Sequence, residues 1–375
     1  MLAILKRHDW LLNGAILFLI AASLLVVYSS AVNLFWQQFL WFAIALILIA
    51  AVSYIDWRPL ANHRWFIGGI YFFAVSLLIV TYFIAPTIRQ AKSWLVIGSF
   101  QFQTSEFMKL ALIIILAAFF MKGHISIGRF PILIKSFFYF LIPAVLVMAQ
   151  PDLGTTIILL GIWLGFLFVS GLPWKHIFVG LAIFTVLSIV VWGDIKYCAK
   201  EENKREQVCE KFLKEYQRQR ISALFNPEYD PLDTNYSVIQ SKIAIGSAGF
   251  FGKGFQQGTQ VQLNFLPEAE TDFVLAALVE EWGLLGGIAV ILAFALMIFR
   301  ILKIGLFSGN NFSSFICLGV VIMFLMQFTL NVGSTIGLLP VIGVTFPFLS
   351  YGGSSILINA ILLGIVQSIA ARSKF

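Results

Sequence analysis

Residues 264–283 read NFLPEAETDFVLAALVEEWG, and this stretch decides how the rest of the chain is interpreted. Three of its carboxylates precede a long apolar segment and two lie within it: Glu268, Glu270 and Asp272, then Glu280 and Glu281. A carboxylate in hydrocarbon is costly, so acids at and below a membrane boundary indicate function. The stretch predicts a membrane-spanning helix with a functional acid at its entrance.

The composition of the whole chain agrees with a membrane protein. Its 375 residues are 60% hydrophobic and only 11% charged, and the mean hydropathy is +0.92. About 20 apolar residues span a bilayer as a helix, whereas a β-barrel shows alternating segments of roughly ten residues, a pattern that is absent. We predict an all-α polytopic membrane protein, a single domain over residues 1–375 with ten transmembrane helices: 11–30, 34–55, 66–86, 106–122, 132–149, 154–171, 174–193, 272–299, 311–331 and 351–371.

The distribution of Lys and Arg predicts the orientation of these helices. If the N-terminus is cytoplasmic, the short outer loops keep only Arg89, Lys92 and Lys109, and most other basic residues outside the long loop lie inside. Because short inner loops carry an excess of Lys and Arg, both termini are expected in the cytoplasm. The net charge of +7 is then a topology signal. No basic face with interleaved aromatics indicates a nucleic-acid partner.

A large extracytoplasmic loop, residues 194–271, is predicted between helices 7 and 8. Val208, Phe212 and Tyr216 recur at four-residue spacing, which predicts an amphipathic helix that lies on the outer surface or packs against the bundle. Residues 236–248 predict a further helix. A glycine-rich run follows, and it is either a plain loop or one whose N–H groups bind a diphosphate.

The cysteines of this loop, Cys198 and Cys209, lie in an oxidising compartment if the loop is outside. A disulfide between them is one interpretation, and two thiols are the other. A zinc site is not expected, because no histidine lies on this face.

Four irregular, polar segments fall on the predicted outer face: 89–109, 150–155, 264–283 and 331–355. The last carries two prolines and several glycines at membrane depth. Backbone of this kind is tolerated there only where it lines a cavity or is buried in protein. Together the four segments predict an outward-facing site.

Each candidate residue also has a structural interpretation. Asp152 and Asp272 precede predicted spans, so either acid can be a helix N-cap instead of a site residue. Glu106 and Lys109, spaced i, i+3, can be an ion pair only, and Trp94 can be an interfacial aromatic.

The two acids within the span are interpreted separately from Asp272. They follow it by roughly 12–13.5 Å along a helix and point away from its face. We expect inward-facing structural or relay acids.

Several long segments together resemble those of the SEDS family (shape, elongation, division and sporulation). The similarity covers nearly the whole chain, and the segment at 235–254 favours the RodA branch over the division-specific branch. The segments that carry it are QPDLGTT at 150–156, NYSVIQSKIAIGSAGFFGKG at 235–254, LPEAETDFVLAALVEEWGLLGG at 266–287 and GLLPVIGVTFPFLSYGGSS at 337–355.

The resemblance implies a peptidoglycan glycosyltransferase that polymerises lipid II into glycan strands. Such enzymes work at the outer face of the cytoplasmic (inner) membrane during cell elongation. Their partners are a class B penicillin-binding protein, which supplies the transpeptidase, and other membrane proteins of the elongation machinery.

The family pattern also implies roles for particular residues. Asp272 matches the family's essential aspartate and Trp94 its functional tryptophan, while Glu106 and Lys109 match an acid and a lysine of a motif before a span. Further candidates for binding the substrate are Asp152, Lys242, Lys253, Ser350 and Tyr351. The chain departs from the pattern at Gln90, Ser93 and Thr104, where Gly, Arg and Pro are common.

The chemistry of lipid II polymerisation suits these residue types but leaves the role of Asp272 open. A partly desolvated carboxylate has a raised pKa and can act as a base towards the acceptor hydroxyl. It can equally hold a divalent ion, Mg or Mn, at the diphosphate. Lys109, Lys242 or Lys253 would stabilise the leaving group. No organic cofactor is expected.

Two other functions compete with the enzyme. A lipid II flippase also has many spans and broken helices, but it should carry polar groups near the midplane and on the inner face. A noncatalytic scaffold for the penicillin-binding protein predicts that Asp272 is dispensable. The clustering of polar segments on the outer face favours the enzyme.

Overall fold

The structure, a computed structural model, describes residues 7–86, 92–98, 100–123, 130–171, 173 and 235–373. Eleven α-helices and one hairpin are described: α1 Trp10–Ser30, α2 Val32–Ser53, α3 Arg64–Ile84, β1 Trp94–Ile97, β2 Phe100–Gln103, α4 Thr104–Gly123, α5 Phe130–Ala149, α6 Leu153–Val169, α7 Tyr236–Ser247, α8 Thr259–Gln262, α9 Val274–Leu306, α10 Asn311–Thr335 and α11 Gly353–Arg372. A short 3₁₀ turn, Pro59–Asn62, joins α2 to α3.

The prediction of an all-α polytopic membrane protein is confirmed. Within the described ranges, eight helices are long and apolar enough to cross a membrane, and α6, with 17 residues, is a shorter apolar helix. The predicted edges agree with these nine helices to within a few residues, except that α9 continues to Leu306. The predicted span 174–193 and residues 194–234 of the long loop lie outside the described residues, and so do Cys198 and Cys209.

Helix α9 is broken near its beginning. Its 33 residues would extend about 50 Å, well beyond the roughly 30 Å of hydrocarbon in a bilayer. Gly283 has φ 71° and ψ −175°, which are not helical angles. The element is therefore a short half-helix, residues 274–282, followed by a half-helix, 284–306, of about 34 Å that suffices to span the membrane.

The glycine-rich loop before α8 closes this break. Lys253 and Gly254 donate their N–H groups to the carbonyls of Glu280 and Glu281, and Leu284 and Leu285 donate theirs to Gly249 and Phe250. These bonds satisfy backbone groups that the break removes from the helical ladder. The N–H groups of Lys253 and Gly254 are thus engaged within the protein, which favours the plain-loop interpretation over a diphosphate cradle.

Only glycine fits at the closest approach of this loop to α9. A Cβ on Gly283 would lie 2.2 Å from the Phe250 carbonyl oxygen, and one on Gly252 would lie 2.1 Å from the Glu281 carbonyl oxygen. Both residues also have positive φ, 71° and 79°. The crossing of the two backbones therefore fixes the place where α9 breaks.

Buried polar contacts hold the end of the bundle at which α1 begins. Asp9 caps α1 by accepting from the Leu12 N–H, and it forms an ion pair with Arg300 of α9. Gln367 of α11 bonds both the N–H and the carbonyl of Asp9. Arg372 donates to the carbonyls of the end of α2. These contacts connect α1, α2, α9 and α11 at one level.

Candidate active site at the opposite end of the bundle

The acidic turn, residues 268–273, leads directly into α9. Glu268 has φ 52°, and its carbonyl accepts the N–H groups of both Thr271 and Phe273. The N-cap position of α9 is Phe273, with no side-chain capping bond, so Asp272 lies one residue before the cap. Asp272 itself is half-buried on the turn.

Three successive carbonyls of the acidic turn are bonded to other elements. Tyr351 N donates to the Glu270 carbonyl over 2.7 Å, Ser350 Oγ donates to that of Thr271 over 2.6 Å, and Asn331 Nδ2 of α10 donates to that of Asp272 over 3.0 Å. A turn fixed at consecutive carbonyls has little freedom to move, so the backbone position of Asp272 is well defined.

The irregular segment 336–352 lies against this turn. Gly343 has φ 69°, and a Cβ built on it would lie 4.0 Å from Oδ2 of Asp272. Asn331 bonds the Val344 carbonyl with the same Nδ2 that bonds the Asp272 carbonyl, over 2.8 Å. One amide group therefore holds the acidic turn and the irregular segment together.

The candidates Ser350 and Tyr351 belong to this anchoring. The Ser350 hydroxyl accepts the Phe346 N–H over 2.9 Å while it donates to the acidic turn, so its role in the described structure is to position backbone. Tyr351 is half-buried, and burial together with the negative charge of Glu270 raises the pKa of its phenol above the ordinary value. The Tyr351 hydroxyl is consequently a protonated donor at neutral pH.

Asp152 is the N-cap of α6, as its structural interpretation predicts. Its Oδ1 accepts the Thr155 N–H over 3.0 Å, and its Oδ2 accepts the hydroxyl of Thr155, the hydroxyl of Ser105 and Nε2 of Gln103. Asp152 is half-buried, and four donors from α4, α6 and β2 satisfy its carboxylate without a substrate contact.

The β-hairpin connects the remaining predicted segments, and sequence reasoning missed it. Trp94, half-buried, is paired with Gln103 in the antiparallel register, and Gln103 N donates to Ser354 Oγ at the start of α11. A Cβ on Gly154 would lie 2.7 Å from the Ile342 carbonyl oxygen. The segments 94–109, 150–155, 264–283 and 331–355 thus share the end of the bundle opposite the Asp9–Arg300 pair.

Glu106 and Lys109 form the expected ion pair, with Nζ 2.7 Å from Oε1. Both side chains are almost completely buried in α4. Within the described part of the chain, Oε2 of Glu106 has no hydrogen-bond partner. The pair is therefore not a solvent-exposed contact at a helix end. Burial of an ion pair is costly, and here it also leaves the second oxygen of the Glu106 carboxylate without a donor.

Two of the departures from the family pattern have structural explanations. Thr104, where Pro is common, begins α4 with its hydroxyl 2.9 Å from that of Thr81 on α3. Ser93, where Arg is common, is buried and donates to the Gln150 carbonyl over 3.4 Å. Arg89 and Gln90 lie outside the described residues, while Lys92 is exposed beside Ser93.

The two lysines from the long loop have different surroundings. Lys253 pairs with the fully buried Glu280 over 2.6 Å, next to the break in α9. Lys242, exposed on α7, lies against the irregular segment, since a Cβ on Gly337 would be 2.5 Å from its Nζ. Of the two, Lys242 is the one that the structure brings to the segment beside Asp272.

The acids within α9, which we expected to be inward-facing structural or relay acids, are buried and have partners on different elements. Besides Lys253, Glu280 accepts the N–H groups of Gln260 and Val261 and the hydroxyl of Thr259. Glu281 accepts the hydroxyl of Ser29 at the end of α1. These bonds attach the half-helix 274–282 to α8 and α1.

Asn331 and Gly343 were not predicted as site residues. Both lie within the irregular segment 331–355, but nothing in the sequence indicates that the Asn331 amide, near the end of α10, reaches the acidic turn. The bond from Asn331 to the Asp272 carbonyl depends on how α9 and α10 pack together.

Curated relatives cover nearly the whole chain. A peptidoglycan glycosyltransferase MrdB of Escherichia coli K12 is 33% identical over 364 residues, which are 96% of this chain and 92% of that protein. The peptidoglycan glycosyltransferase RodA of Treponema pallidum is 31% identical, with 97% and 98% covered. The stage V sporulation protein E of Bacillus subtilis is 33% identical, with 98% of each chain covered.

Solved structures have the same fold. A chain from work reported as the structural coordination of polymerization and crosslinking by a peptidoglycan synthase complex has a TM-score of 0.79 and 28% identity, with 97% of each chain covered. The crystal structure of the rod shape determining protein RodA of Thermus thermophilus has a TM-score of 0.70 and 24% identity over 98% of each chain. A family model described as cell cycle protein matches residues 5–375, and the chain therefore belongs to the FtsW/RodA/SpoVE family, the SEDS proteins.

Proposed function

We propose that this protein is a peptidoglycan glycosyltransferase that polymerises lipid II into glycan strands during cell elongation and rod-shape maintenance. Relatives about a third identical over nearly their whole length are named peptidoglycan glycosyltransferases. The observation that carries the proposal is the acidic turn, whose carbonyls at 270, 271 and 272 are fixed by Tyr351, Ser350 and Asn331. This anchoring fixes the backbone of Asp272, whose carboxylate lies beside Gly343.

In the proposed reaction Asp272 is the catalytic base. Its carboxylate takes the proton of the acceptor sugar hydroxyl, the oxygen attacks the anomeric carbon of the donor, and the bond from that carbon to the diphosphate breaks. A positioned base of this kind contributes about 10²- to 10⁴-fold to a rate. The fixed backbone is what such a base requires, since small displacements of catalytic groups are expensive.

The leaving diphosphate needs positive charge, and Lys242 is the best-placed candidate. Lys109 and Lys253 are both engaged with carboxylates, Glu106 and Glu280. Lys242 instead lies against Gly337 on the irregular segment that reaches Asp272. We assign the stabilisation of the leaving group to Lys242, and structural roles to Lys109 and Lys253.

A divalent cation, Mg or Mn, fits this site only if the substrate diphosphate supplies ligands in addition to Asp272. Within the described residues, no group of three or more His, Cys, Asp or Glu side chains can enclose a metal. Magnesium is commonly held by one or two carboxylates together with substrate phosphates and waters. Asp272 would be the protein ligand, and the ion would neutralise charge on the diphosphate.

The membrane setting is that of a multi-pass inner-membrane protein. We propose that both termini are cytoplasmic and that the end of the bundle with Asp272 faces outward, as the positions of Lys and Arg indicate. We also propose a class B penicillin-binding protein as the partner, together with other elongation proteins. Support comes from the similar chain in a peptidoglycan synthase complex that polymerises and crosslinks.

The test is a polymerisation assay with purified protein, lipid II and a divalent cation, in which glycan polymer is resolved on a gel. We compare the wild type with Asp272→Asn, which keeps the shape of the side chain and removes the base. Glu270→Gln is the matched control, because it neutralises another acid of the same turn. We expect polymer from the wild type and the control only.

The other outcomes separate the competing functions. Polymer from Asp272→Asn would keep the enzyme and move the base to another residue. If the wild type makes no polymer even with the partner transpeptidase present, transport or scaffolding becomes the better interpretation. Movement of lipid II across proteoliposomes would then distinguish the flippase from the scaffold.

A further inference from the structure

The tip of the glycine-rich loop carries two exposed aromatic side chains beside the break in α9. Phe250 is 67% exposed and Phe251 is 82% exposed. The loop is well anchored at this point, since the carbonyls of Gly249 and Phe250 accept the N–H groups of Leu284 and Leu285. Because the loop is anchored, these two large apolar side chains stay exposed and require an apolar environment outside this chain.

The depth of this tip in the membrane follows from α1. Asp9, which caps this helix, pairs with Arg300 of α9, and Ser29 near the other end of the helix bonds Glu281. Residues 9 and 29 are about 30 Å apart along a helix, which equals the thickness of the hydrocarbon. The two polar contacts therefore mark the two boundaries of the membrane on α9.

Leu284 and Leu285 lie on the membrane side of the second boundary. They follow Glu281 by three and four residues, and they begin the half-helix 284–306 that runs towards Arg300. Both are about half exposed, so in a bilayer their side chains contact lipid. Because Gly249 and Phe250 are bonded to these two residues, the tip of the loop is at the same depth.

The loop returns to the boundary within a few residues. Lys253 bonds the carbonyl of Glu280 and pairs with its carboxylate, and Gly254 bonds the carbonyl of Glu281. Backbone below the boundary is tolerated where its polar groups are satisfied within the protein, and the bonds across the break in α9 provide this for the Gly249 and Phe250 carbonyls. The loop enters and leaves the membrane on the same side.

Aromatic residues surround the loop at the boundary. Phe255 stacks on Tyr28 of α1 at a centroid distance of 6.1 Å and lies 6.1 Å from the ring of Trp282. Tyr and Trp are enriched at the membrane interface because their rings are amphipathic. Tyr28 and Trp282 are the chain neighbours of Ser29 and Glu281, so these rings lie at the boundary that the Ser29–Glu281 contact marks.

We propose that residues 249–254 form a re-entrant loop that inserts Phe250 and Phe251 into the hydrocarbon of the adjacent leaflet. The occupant of this surface is lipid, because the loop continues the lipid-facing surface of Leu284 and Leu285. The loop thereby anchors the half-helix 274–282, with Asp272 just before it, at a fixed depth relative to the bilayer.

The test measures depth by spin labelling in lipid nanodiscs. Cys198, Cys209 and Cys317 are first replaced by alanine, and a nitroxide is attached to Phe251→Cys or, in a second variant, Phe250→Cys. Collision with oxygen, which partitions into lipid, is compared with collision with a water-soluble nickel chelate. Leu292→Cys, in the spanning half-helix and 63% exposed, is the lipid reference, and Asn62→Cys, in the loop between α2 and α3, is the water reference.

We expect both labels to give an oxygen-to-nickel ratio like that of Leu292→Cys and well above that of Asn62→Cys. A ratio like that of Asn62→Cys places the tip in water and overturns the proposal. Low collision with both reagents places the tip against protein, either this chain or a second copy, and overturns it as well. Neither result depends on the proposed enzymatic activity.

Discussion

The two ends of the bundle use polar residues in opposite ways. At the Asp9 end, the almost completely buried Asp9 carboxylate accepts the Leu12 N–H and pairs with Arg300. The Asp9 N–H donates to Gln367 Oε1, and its carbonyl accepts from Gln367 Nε2. At the Asp272 end, acceptors such as Oε2 of Glu106 and Oδ1 of Asn331 have no partner among the described residues. That end also holds the irregular segment and the break in α9.

The difference shows which end is organised for stability and which for binding. Buried polar groups are normally hydrogen-bonded, and an exception calls for an explanation such as a bound water, ion or substrate. The contacts of Asp9, Gln367 and Arg372 connect four helices and engage the carboxylate, the N–H and the carbonyl of Asp9. Substitutions at the Asp9 end should therefore reduce stability, and those at the Asp272 end should reduce activity.

The strongest expected effect on stability comes from Arg300→Ala. It leaves the buried carboxylate of Asp9 without its cation, and removing one partner of a buried pair costs about 3–5 kcal/mol. We expect a lower free energy of unfolding in SDS-induced unfolding from micelles, with polymerisation per folded molecule unchanged.

The control for that variant is the double substitution Asp9→Asn with Arg300→Met. Asparagine still accepts the Leu12 N–H as a helix cap, and no unpaired charge remains, so the double variant should be more stable than Arg300→Ala alone. If folded Arg300→Ala lost polymerisation, the Asp9 end would contribute to activity as well as to stability, which contradicts the proposed difference between the two ends.

The next effect concerns the break in α9 and is expected in both stability and activity. Gly283→Ala forces a side chain into φ 71° and against the Phe250 carbonyl. Residues held in such backbone regions cost about 1–3 kcal/mol. The half-helix before the break follows directly on Asp272, so a change at the break displaces this acid. We expect the rate of polymerisation to fall by up to about 10²-fold, a loss that small displacements of catalytic groups can cause.

Gly69→Ala is the matched control, since Gly69 lies within α3 and a Cβ there meets nothing within 4 Å. A glycine replaced by alanine at a compatible helical position stabilises by about 0.4–1 kcal/mol. If Gly283→Ala folds and polymerises like Gly69→Ala, the break does not position the catalytic acid.

A smaller effect distinguishes the two interpretations of Asp152. Asp152→Ala removes the N-cap of α6, and loss of a cap costs about 0.5–2 kcal/mol. Asp152→Asn keeps a capping oxygen and should be nearly neutral. We expect both variants to polymerise normally per folded molecule, whereas a folded but inactive Asp152→Asn would assign this carboxylate to the substrate after all.

Much of the fold is predictable because the bilayer sets the length of each apolar run. The nine described helices that match predicted spans follow from that rule, and α7, predicted at 236–248, is found at Tyr236–Ser247. The location of the four polar segments at one end of the bundle was also predictable, because loop charge and span order determine on which side each segment lies.

The remaining features depend on contacts between distant residues. In the sequence, EEWGLLGG continues the apolar pattern of a helix, and only the crossing with Gly252 requires positive φ at Gly283. The hairpin was missed because both strands are short and Trp94–Ile97 is a continuous apolar run, so that only Phe100–Gln103 shows the alternation of a strand. The bonds of Asn331 likewise arise from packing, so the acidic turn could be predicted but its anchors could not.

The smallest expected effect is a pH dependence at the Asp9 end of the bundle. A hydrogen bond from Arg58, helped by the charge of Arg372, lowers the pKa of Asp56 below its ordinary 3.8. A lowered pKa in the folded state stabilises the protein above pH 3.8, and this contribution disappears as pH falls through the folded pKa. Because the Asp56 side chain is about one-third exposed, solvent limits the effect to a few tenths of a kcal/mol. Wild type should have a slightly higher Tm than Asp56→Asn at pH 7. The difference should shrink below pH 3.8 and vanish once the pH is below the lowered pKa of the folded state. A difference that persists in acid would mean that Asp56 acts through its shape and not its charge.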